Sequence, residues 1–341
     1  MMMDRLISRR RALAGMAGGV FAAAGTRSRV GAHETEKISL ALDWYPNANH
    51  AGIFLAESRD YWHDADLELD AYTPADPTTV LQTVGAGRDH FGISYQTDVL
   101  LARDQGVPVV SVAAFVQQPL VTVMALQDAG ITSPAALAGK TVGYPGIPSQ
   151  AAFLATMLEG AGLTLDDVSL VNIGFNLLPA LISMQVDAVL GGFWTHETIL
   201  AEQEGYEVDV MRVEEWGVPS YYELVLVTSE KLIEERPELV AAVLSVLQQG
   251  YGAAIDAPED AIEALTAAYP ELDAGVERQG IALLSEVWLP DAPPVFGYQD
   301  AEQWTAYAAW MVDRGLIDSG LDVTAAFRAD LLPLEEATPT A

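Results

Sequence analysis

Leu40-Ala-Leu-Asp-Trp-Tyr-Pro-Asn-Ala-Asn-His-Ala-Gly-Ile-Phe-Leu-Ala-Glu-Ser-Arg-Asp-Tyr-Trp62 begins as a strand, stops at a polar and aromatic turn, and restarts as a helix. A strand whose end opens a helix is the repeating unit of an α/β sheet. In such sheets the loops at the carboxyl ends of strands face the binding crevice. This loop carries two rings (Trp44, Tyr45), two amides (Asn47, Asn49) and His50 at the helix start. That density of stacking and hydrogen-bonding groups makes the turn a candidate ligand site. Asp43, just before it, reads as a cap on local backbone donors, as aspartates at strand ends often are.

The same alternation continues outward. Short β-rich runs stand at Ile38–Asp43, Leu67–Tyr72, His90–Ser94, Val107–Phe115, Leu120–Leu126, Lys140–Tyr144, Val168–Ile173, Asp187–Gly191, Val208–Val213 and Tyr222–Thr228. Helical patterns separate them, with starts marked by Asp76-Pro77, Ser133-Pro134 and Ser149. Strands alternating with helices imply βαβ units and largely parallel sheets. After Thr228 almost only helix is expected: Pro237–Ile255, Pro258–Ala268, Ala274–Val287, Asp300–Arg314 and Val323–Leu331. A chain of 341 residues, half of them hydrophobic, has enough apolar side chains for two cores. The fold expected is therefore α/β and two-lobed, with a helical C-terminal third. Its crossings fall at Leu120–Leu126 and Tyr222–Thr228. Lobe 1 is 37–122 plus 226–333, lobe 2 is 123–225, and a disordered tail covers 334–341.

The first 32 residues read as an export signal of twin-arginine type: Arg5 and Ser8-Arg9-Arg10-Arg11, the apolar stretch Ala12–Gly25, and Val30-Gly31-Ala32 as a cleavage site. The rival reading is an uncleaved anchor. Either way the protein is expected outside the cytoplasm, periplasmic or at the cell surface. No later apolar run reads as long enough to span a bilayer. Without cysteine the chain has no disulfide, thiolate metal site, cysteine nucleophile or lipidated cysteine. The formal charge is −31. With the leader's six Arg and one Asp removed, 11 basic and 47 acidic residues remain, or −36. Such a chain is repelled by nucleic acid and by anionic membranes. It suits a halophile's protein, whose acidic surface needs salt to screen it.

Four further strand ends carry candidate side chains. Ser94-Tyr95-Gln96 offers a hydroxyl, a ring and an amide, with Thr97 or Asp98 as a cap. Tyr144-Pro145-Gly146-Ile147-Pro148-Ser149-Gln150 is a rigid loop whose exposed amides open a helix, without the lysine of a nucleotide-binding loop. Gly191-Gly192-Phe193-Trp194-Thr195-His196-Glu197 supplies close backbone approach, two rings and a carboxylate on a helix's first turn. A carboxylate there can accept a ring amino hydrogen or stabilise a protonated ring nitrogen. At the second crossing, alternation puts Tyr221 and Tyr222 on opposite faces, so one of them reaches the crevice; Tyr222 is the choice. The five histidines, His33, His50, His63, His90 and His196, have no metal-ligand spacing. The sequence holds no nucleophile elbow and no dinucleotide fingerprint. No cofactor, no metal and no catalysis are expected.

Taken in order, Leu42-Asp43-Trp44-Tyr45-Pro46-Asn47 through His50, Ile93-Ser94-Tyr95-Gln96, Gly143-Tyr144-Pro145-Gly146, Gly191-Gly192-Phe193 through Glu197, and Trp216-Gly217-Val218-Pro219 through Val227 resemble the ThiY-type thiamine-precursor binding proteins and the related pyrimidine-precursor synthases. The resemblance implies a type II periplasmic-binding-protein fold that hinges over a flat heterocycle and delivers it, as a monomer, to an ABC permease. It also implies residue roles. Trp44 and Tyr222 would be ring partners, Asn47 and Glu197 polar readers, and Pro145–Ser149 the second-lobe lip. The ligand set read from the residues and the resemblance together is Trp44, Asn47, His50, Tyr95, Gln96, Tyr144, Pro145, Gly146, Ser149, Phe193, Trp194, Glu197 and Tyr222. Two alternatives stand beside the aminopyrimidine. One is riboflavin, for which Trp194 would be an extra ring; the other is an exported enzyme related to the synthases, whose cysteine-rich motif this chain lacks.

Overall fold

The computed structural model describes residues 35–289, 291 and 294–333. The expected export signal and the expected disordered tail lie outside them. Each β-rich run yields a strand: β1 (Glu36–Ala41), β2 (Leu67–Tyr72), β3 (Phe91–Ser94), β4 (Val109–Ala114), β5 (Val121–Leu126), β6 (Thr141–Tyr144), β7 (Ser169–Asn172), β8 (Ala188–Phe193), β9 (Val208–Arg212) and β10 (Val225–Ser229). They build two five-stranded sheets, ordered β2-β1-β3-β10-β4 and β7-β6-β8-β5-β9. The two orders are the same pattern repeated, and each sheet forms the centre of one lobe.

The sheets are mixed, which corrects the largely parallel arrangement expected. β1 runs parallel to β2 and β3, and β6 runs parallel to β7 and β8. β10 is antiparallel to β3 and β4, and β5 is antiparallel to β8 and β9. These two strands follow the crossings. A strand that arrives from the other lobe, rather than over a helix from its own, inserts against its neighbours' direction.

Helices α1 (Ala51–Ser58), α2 (Tyr61–Asp64), α3 (Val80–Gly85) and α4 (Gln96–Asp104) belong with the first sheet, and α5 (Pro148–Gly160), α6 (Leu177–Ile182) and α7 (Glu197–Gln203) with the second. After β10 come α8 (Glu230–Glu235), α9 (Pro237–Asp256), α10 (Pro258–Ala268), α11 (Ala274–Leu284) and α12 (Ala301–Asp313). Local chemistry sets their starts. Asp273 accepts the N–H groups of Gly275 and Val276, Asp300 those of Glu302 and Gln303, and Ser229 that of Leu232.

Two expected helices do not form. Ser133-Pro134 opens only the 3-10 turn Pro134–Leu137, and Val323–Leu331 shortens to the turn Val323–Ala325. Beyond it the chain extends and pairs with the edge of β4. Ser111 donates to Ala326 O at 2.9 Å, and Arg328 N–H donates to Ser111 O at 2.8 Å.

By length and composition α9 is long and apolar enough to cross a bilayer, against the sequence expectation. Here half of that stretch is buried against its neighbours in the first lobe. α9 and α1 meet where both lack side chains: a Cβ added to Gly250 would stand 2.2 Å from Gly52 O. That close approach lets Tyr251 of α9 reach the turn after β1, where its hydroxyl donates to Asn49 O at 2.6 Å.

Candidate functional site

The turn after β1 is built from its own side chains. Asn47 Oδ1 accepts from the Asn49 backbone N–H and from Asn49 Nδ2, both at 2.9 Å. The Asn47 N–H donates to His50 Nδ1 at 3.2 Å, closing a reciprocal capping box. With Nδ1 accepting, Nε2 carries the ring hydrogen and donates it to Asp43 Oδ1 at 3.0 Å. Tyr95, at the end of β3, donates its hydroxyl to Asp43 Oδ2 at 3.2 Å. Burial pushes the Tyr95 phenol well above its ordinary range, with the Asp43 charge adding to the effect. Asp43 is thus the hub of the turn and not a backbone cap, which corrects the sequence reading.

Asp43, Trp44, Asn47 and Tyr95 form the first-lobe wall of a small cavity. The opposing wall comes from two second-lobe strand ends, Ile147 with Gln150 after β6, and Gly191 and Phe193 at the end of β8 with Glu197 after it. Glu197 is held at the start of α7, where its Oε2 accepts the Phe193 N–H at 2.7 Å. Neither Lys nor Arg lines the cavity, while two carboxylates do. Such a space selects a flat ligand carrying hydrogen-bond donors and rejects an anion. Beyond Tyr95 and Ile147, which line both spaces, lies a second compartment walled by Pro77, Thr78, Leu81 and Asp98.

Of the residues expected in the site, Trp44, Asn47, Tyr95, Phe193 and Glu197 come together around the cavity. The rest take other places. His50 is fully enclosed behind Asp43. Gln96 turns to the second crossing, where its Oε1 accepts the Tyr222 N–H at 2.8 Å. Tyr144, Pro145 and Gly146 lie behind Ile147 in sequence and line neither compartment. Ser149 binds Asp98 rather than the cavity. Trp194 faces away: its Nε1–H donates to Pro119 O at 3.1 Å, and the Arg212 guanidinium lies 4.4 Å from the ring centroid.

Tyr222, chosen as a ring partner, points into the first lobe. Its hydroxyl accepts the Asp300 N–H at 2.8 Å, and its ring packs near Trp304. Tyr221 is no substitute, being stacked on Phe153 with its hydroxyl on Glu223. The strand expected from Tyr222 begins only at Val225, and both tyrosines lie before it, buried in protein.

Sequence reasoning placed Ile147 and Gln150 in the loop that opens α5 without giving either side chain a role of its own, and it left out Phe175. Phe175 follows β7 and meets Trp44 edge-on at 4.5 Å and Tyr45 at 4.7 Å, joining the lobes at the rim. Two more bridges join them. Arg314 of α12 pairs with Glu159 of α5 at 2.7 Å. Asp98 of α4 accepts the Ser149 hydroxyl at 2.6 Å and the Ser149 N–H at 3.3 Å, capping α5 from across the cleft. The lobes are closed on each other.

Two sheets of this shared pattern, two crossings and a cavity between strand ends define a periplasmic-binding-protein fold. The alkanesulfonate-binding protein SsuA of Xanthomonas axonopodis pv. citri, bound to MOPS, has this fold: TM-score 0.69 over 86% of this chain and 99% of that one, at 16% identity. The sequence matches the family described as NMT1/THI5 like over residues 47–261, and the chain belongs to that family. It is 37% identical over 281 residues, 81% of this chain and 84% of the other, to a formylaminopyrimidine-binding protein of Halalkalibacterium halodurans. It is 28% identical to a 4-amino-5-hydroxymethyl-2-methylpyrimidine phosphate synthase of Legionella pneumophila, covering 69% and 75%. To the riboflavin-binding protein RibY of Chloroflexus aurantiacus the identity is 26%, covering 87% and 86%.

Proposed function

We propose that the protein is the solute-binding component of an ABC importer and captures a thiamine pyrimidine precursor of the formylaminopyrimidine or hydroxymethylpyrimidine type. The observation that carries this reading is the cavity itself: the rings of Trp44, Tyr95 and Phe193 stand around two carboxylates and two amides, with no Lys or Arg among the described residues that line it. Rings supply stacking area for a flat heterocycle, and acceptors meet its amino hydrogens. Similarity to the H. halodurans binding protein over most of both chains supports the same ligand class. The sulfonate ligand of the structural neighbour does not transfer, since an anion would face Asp43 and Glu197.

Binding is without turnover. His50, beside Asp43, is enclosed and held at both ring nitrogens, and the chain has no cysteine. The lobes are 37–122 with 226–333 and 123–225. They close as a monomer outside the cytoplasm and present the closed form to a membrane permease, with the N-terminal leader either cleaved or kept as an anchor. Nucleic acid is no partner of so acidic a chain. The surface charge further marks the protein for high salt. Its melting temperature should fall when salt is diluted below about 0.1 M, where the screening length exceeds about 10 Å.

Riboflavin is the second reading, favoured by the second compartment that continues past Tyr95 and by the similarity to a riboflavin-binding protein. Isothermal titration in high salt with 4-amino-2-methylpyrimidines, riboflavin and an alkanesulfonate separates these. The aminopyrimidine should bind, the sulfonate should not, and tighter binding of riboflavin would overturn the assignment. Ligand recovered unaltered after incubation argues for transport, and conversion of it would sink the non-enzyme reading.

A further inference from the structure

Gln150 stands in the first turn of α5, 3% exposed, and lines the cavity with an Oε1 that has no hydrogen-bond partner. A buried acceptor left unpaired in a finished site calls for an explanation. The donors nearby are already engaged: the Tyr95 hydroxyl with Asp43, the Phe193 N–H with Glu197, and the Ser149 hydroxyl with Asp98. Opposite is Gly191, at φ +106°, where an added Cβ would stand 2.7 Å from both Nε2 and Oε1 of Gln150. Backbone conformation and space together restrict that position to glycine, and what the missing side chain leaves room for is this carboxamide.

We infer that Gln150 is the specificity-determining residue for the ligand's amino group. The inference rests on the aminopyrimidine reading above and adds to it the residue that selects the 4-amino edge. A carboxamide matches that edge atom for atom. Its oxygen accepts an exocyclic N–H, and its NH₂ donates to the adjacent ring nitrogen, as a glutamine pairs with the amino edge of adenine. A carboxylate in the same place would set its charge against the ring nitrogen's lone pair. Asp43 and Glu197 are therefore left to other N–H groups of the ligand, and the pairing explains why an amide stands between two acids.

The test is titration of the full-length protein with 4-amino-2,5-dimethylpyrimidine and with 2,5-dimethylpyrimidine, which lacks the amino group. The wild type should prefer the amino probe by about tenfold or more, the worth of a buried hydrogen-bond pair. Gln150→Leu should abolish that preference, losing about tenfold on the amino probe and about twofold or less on the other. Gln150→Met, close in size and without an amide, guards against misfolding of the leucine variant and should also lose the preference for the amino probe. A Leu or Met variant that folds and keeps the wild-type preference overturns the assignment to Gln150 alone. A wild type that binds neither probe overturns the aminopyrimidine reading and this inference with it.

Discussion

Two of the buried carboxylates, one at the hinge and one in the cleft, do different work. Glu223 lies on the second crossing and gathers three donors onto Oε2: the Leu120 N–H at 2.7 Å, the Val121 N–H at 3.2 Å and the Tyr221 hydroxyl at 2.8 Å. All of these belong to the two crossing segments, so the lobes can part without breaking them. Asp98 instead spans the lobes, and its two bonds to Ser149 exist only while the cleft is shut. Burial dominates both acids, pushing Glu223 up to about 8 and Asp98 up to about 6 against the bonds they accept. The lesson is that similar desolvation registers in different equilibria. Glu223 is coupled to folding and Asp98 to closure.

The largest test of that division is Glu223→Ala, which strands two backbone N–H groups and a hydroxyl in a dry site. At roughly 1–3 kcal/mol for each unpaired donor, stability should fall by about 3–9 kcal/mol. Urea unfolding followed by circular dichroism measures it, and ligand affinity of the remaining folded protein should change little. A loss that appeared in affinity and not in unfolding would erase the distinction.

The next effect is the pH dependence carried by the same group. Its folded value, about 8, lies above the ordinary 4.5. The folded state therefore holds a proton that the unfolded chain has released between those limits. Stability from this group is complete below about pH 4.5 and is lost as pH rises through about 8, by up to about 5 kcal/mol. Other acids slope the other way. Arg236 holds Glu36 below its ordinary value, for example, so that contribution is lost as pH falls. The comparison is therefore between wild type and Glu223→Gln, which still offers an oxygen to the donors but cannot titrate. The difference in unfolding free energy between the two should shrink toward low pH and grow in the variant's favour toward pH 8. Parallel curves would remove the assignment.

How much of this was legible beforehand depends on what the sequence encodes locally. Every strand was, because β-branched runs bounded by turn residues are a local signal. The direction of β5 and β10 was not, since it follows from which lobe the chain has just left. The wall of Trp44, Asn47, Tyr95, Phe193 and Glu197 was legible because loops at strand ends share one side of a sheet. Tyr222 and Trp194 were misplaced for one reason: a ring beside a hinge can turn to the cleft or to the lobe behind it. Trp304 and the Asp300 N–H, far along the chain, settled the first, and Pro119 with Arg212 settled the second. Gln150 stayed hidden because an amide at a helix start looks like a cap until its oxygen is seen without a donor.

Asp98 should give a smaller effect, in affinity. Burial pushes its carboxyl from the ordinary 3.8 up to about 6, and on the division drawn above, opening the cleft returns it to water, so that shutting the cleft takes up a proton between those values. Ligand affinity should therefore rise as pH falls from 7 toward 4, by up to about a hundredfold, and Asp98→Asn should flatten that slope. Asp98→Ala removes the cap on α5 and should weaken binding about tenfold at pH 7, with unfolding of the ligand-free protein nearly unchanged. Titrations across pH decide this. A flat wild-type profile would mean that the latch does not report on closure.

Phe175 offers the smallest effect and the sharpest control, because it joins the lobes with no charge at all. Its ring meets Trp44 at 4.5 Å and Tyr45 at 4.7 Å, across the rim of the cavity. An aromatic pair of this kind is worth about 0.5–1.5 kcal/mol beyond the area it buries. Phe175→Ala should therefore weaken binding about threefold to tenfold, through faster release, since the rim closes after the ligand is seated. The loss should be the same at every pH, because nothing at the rim titrates with the ring. Stopped-flow release rates test it against Asp98→Ala. If the Phe175 variant acquired a pH slope, the two bridges would be parts of one device, and the separation drawn here between charged latch and aromatic rim would fail.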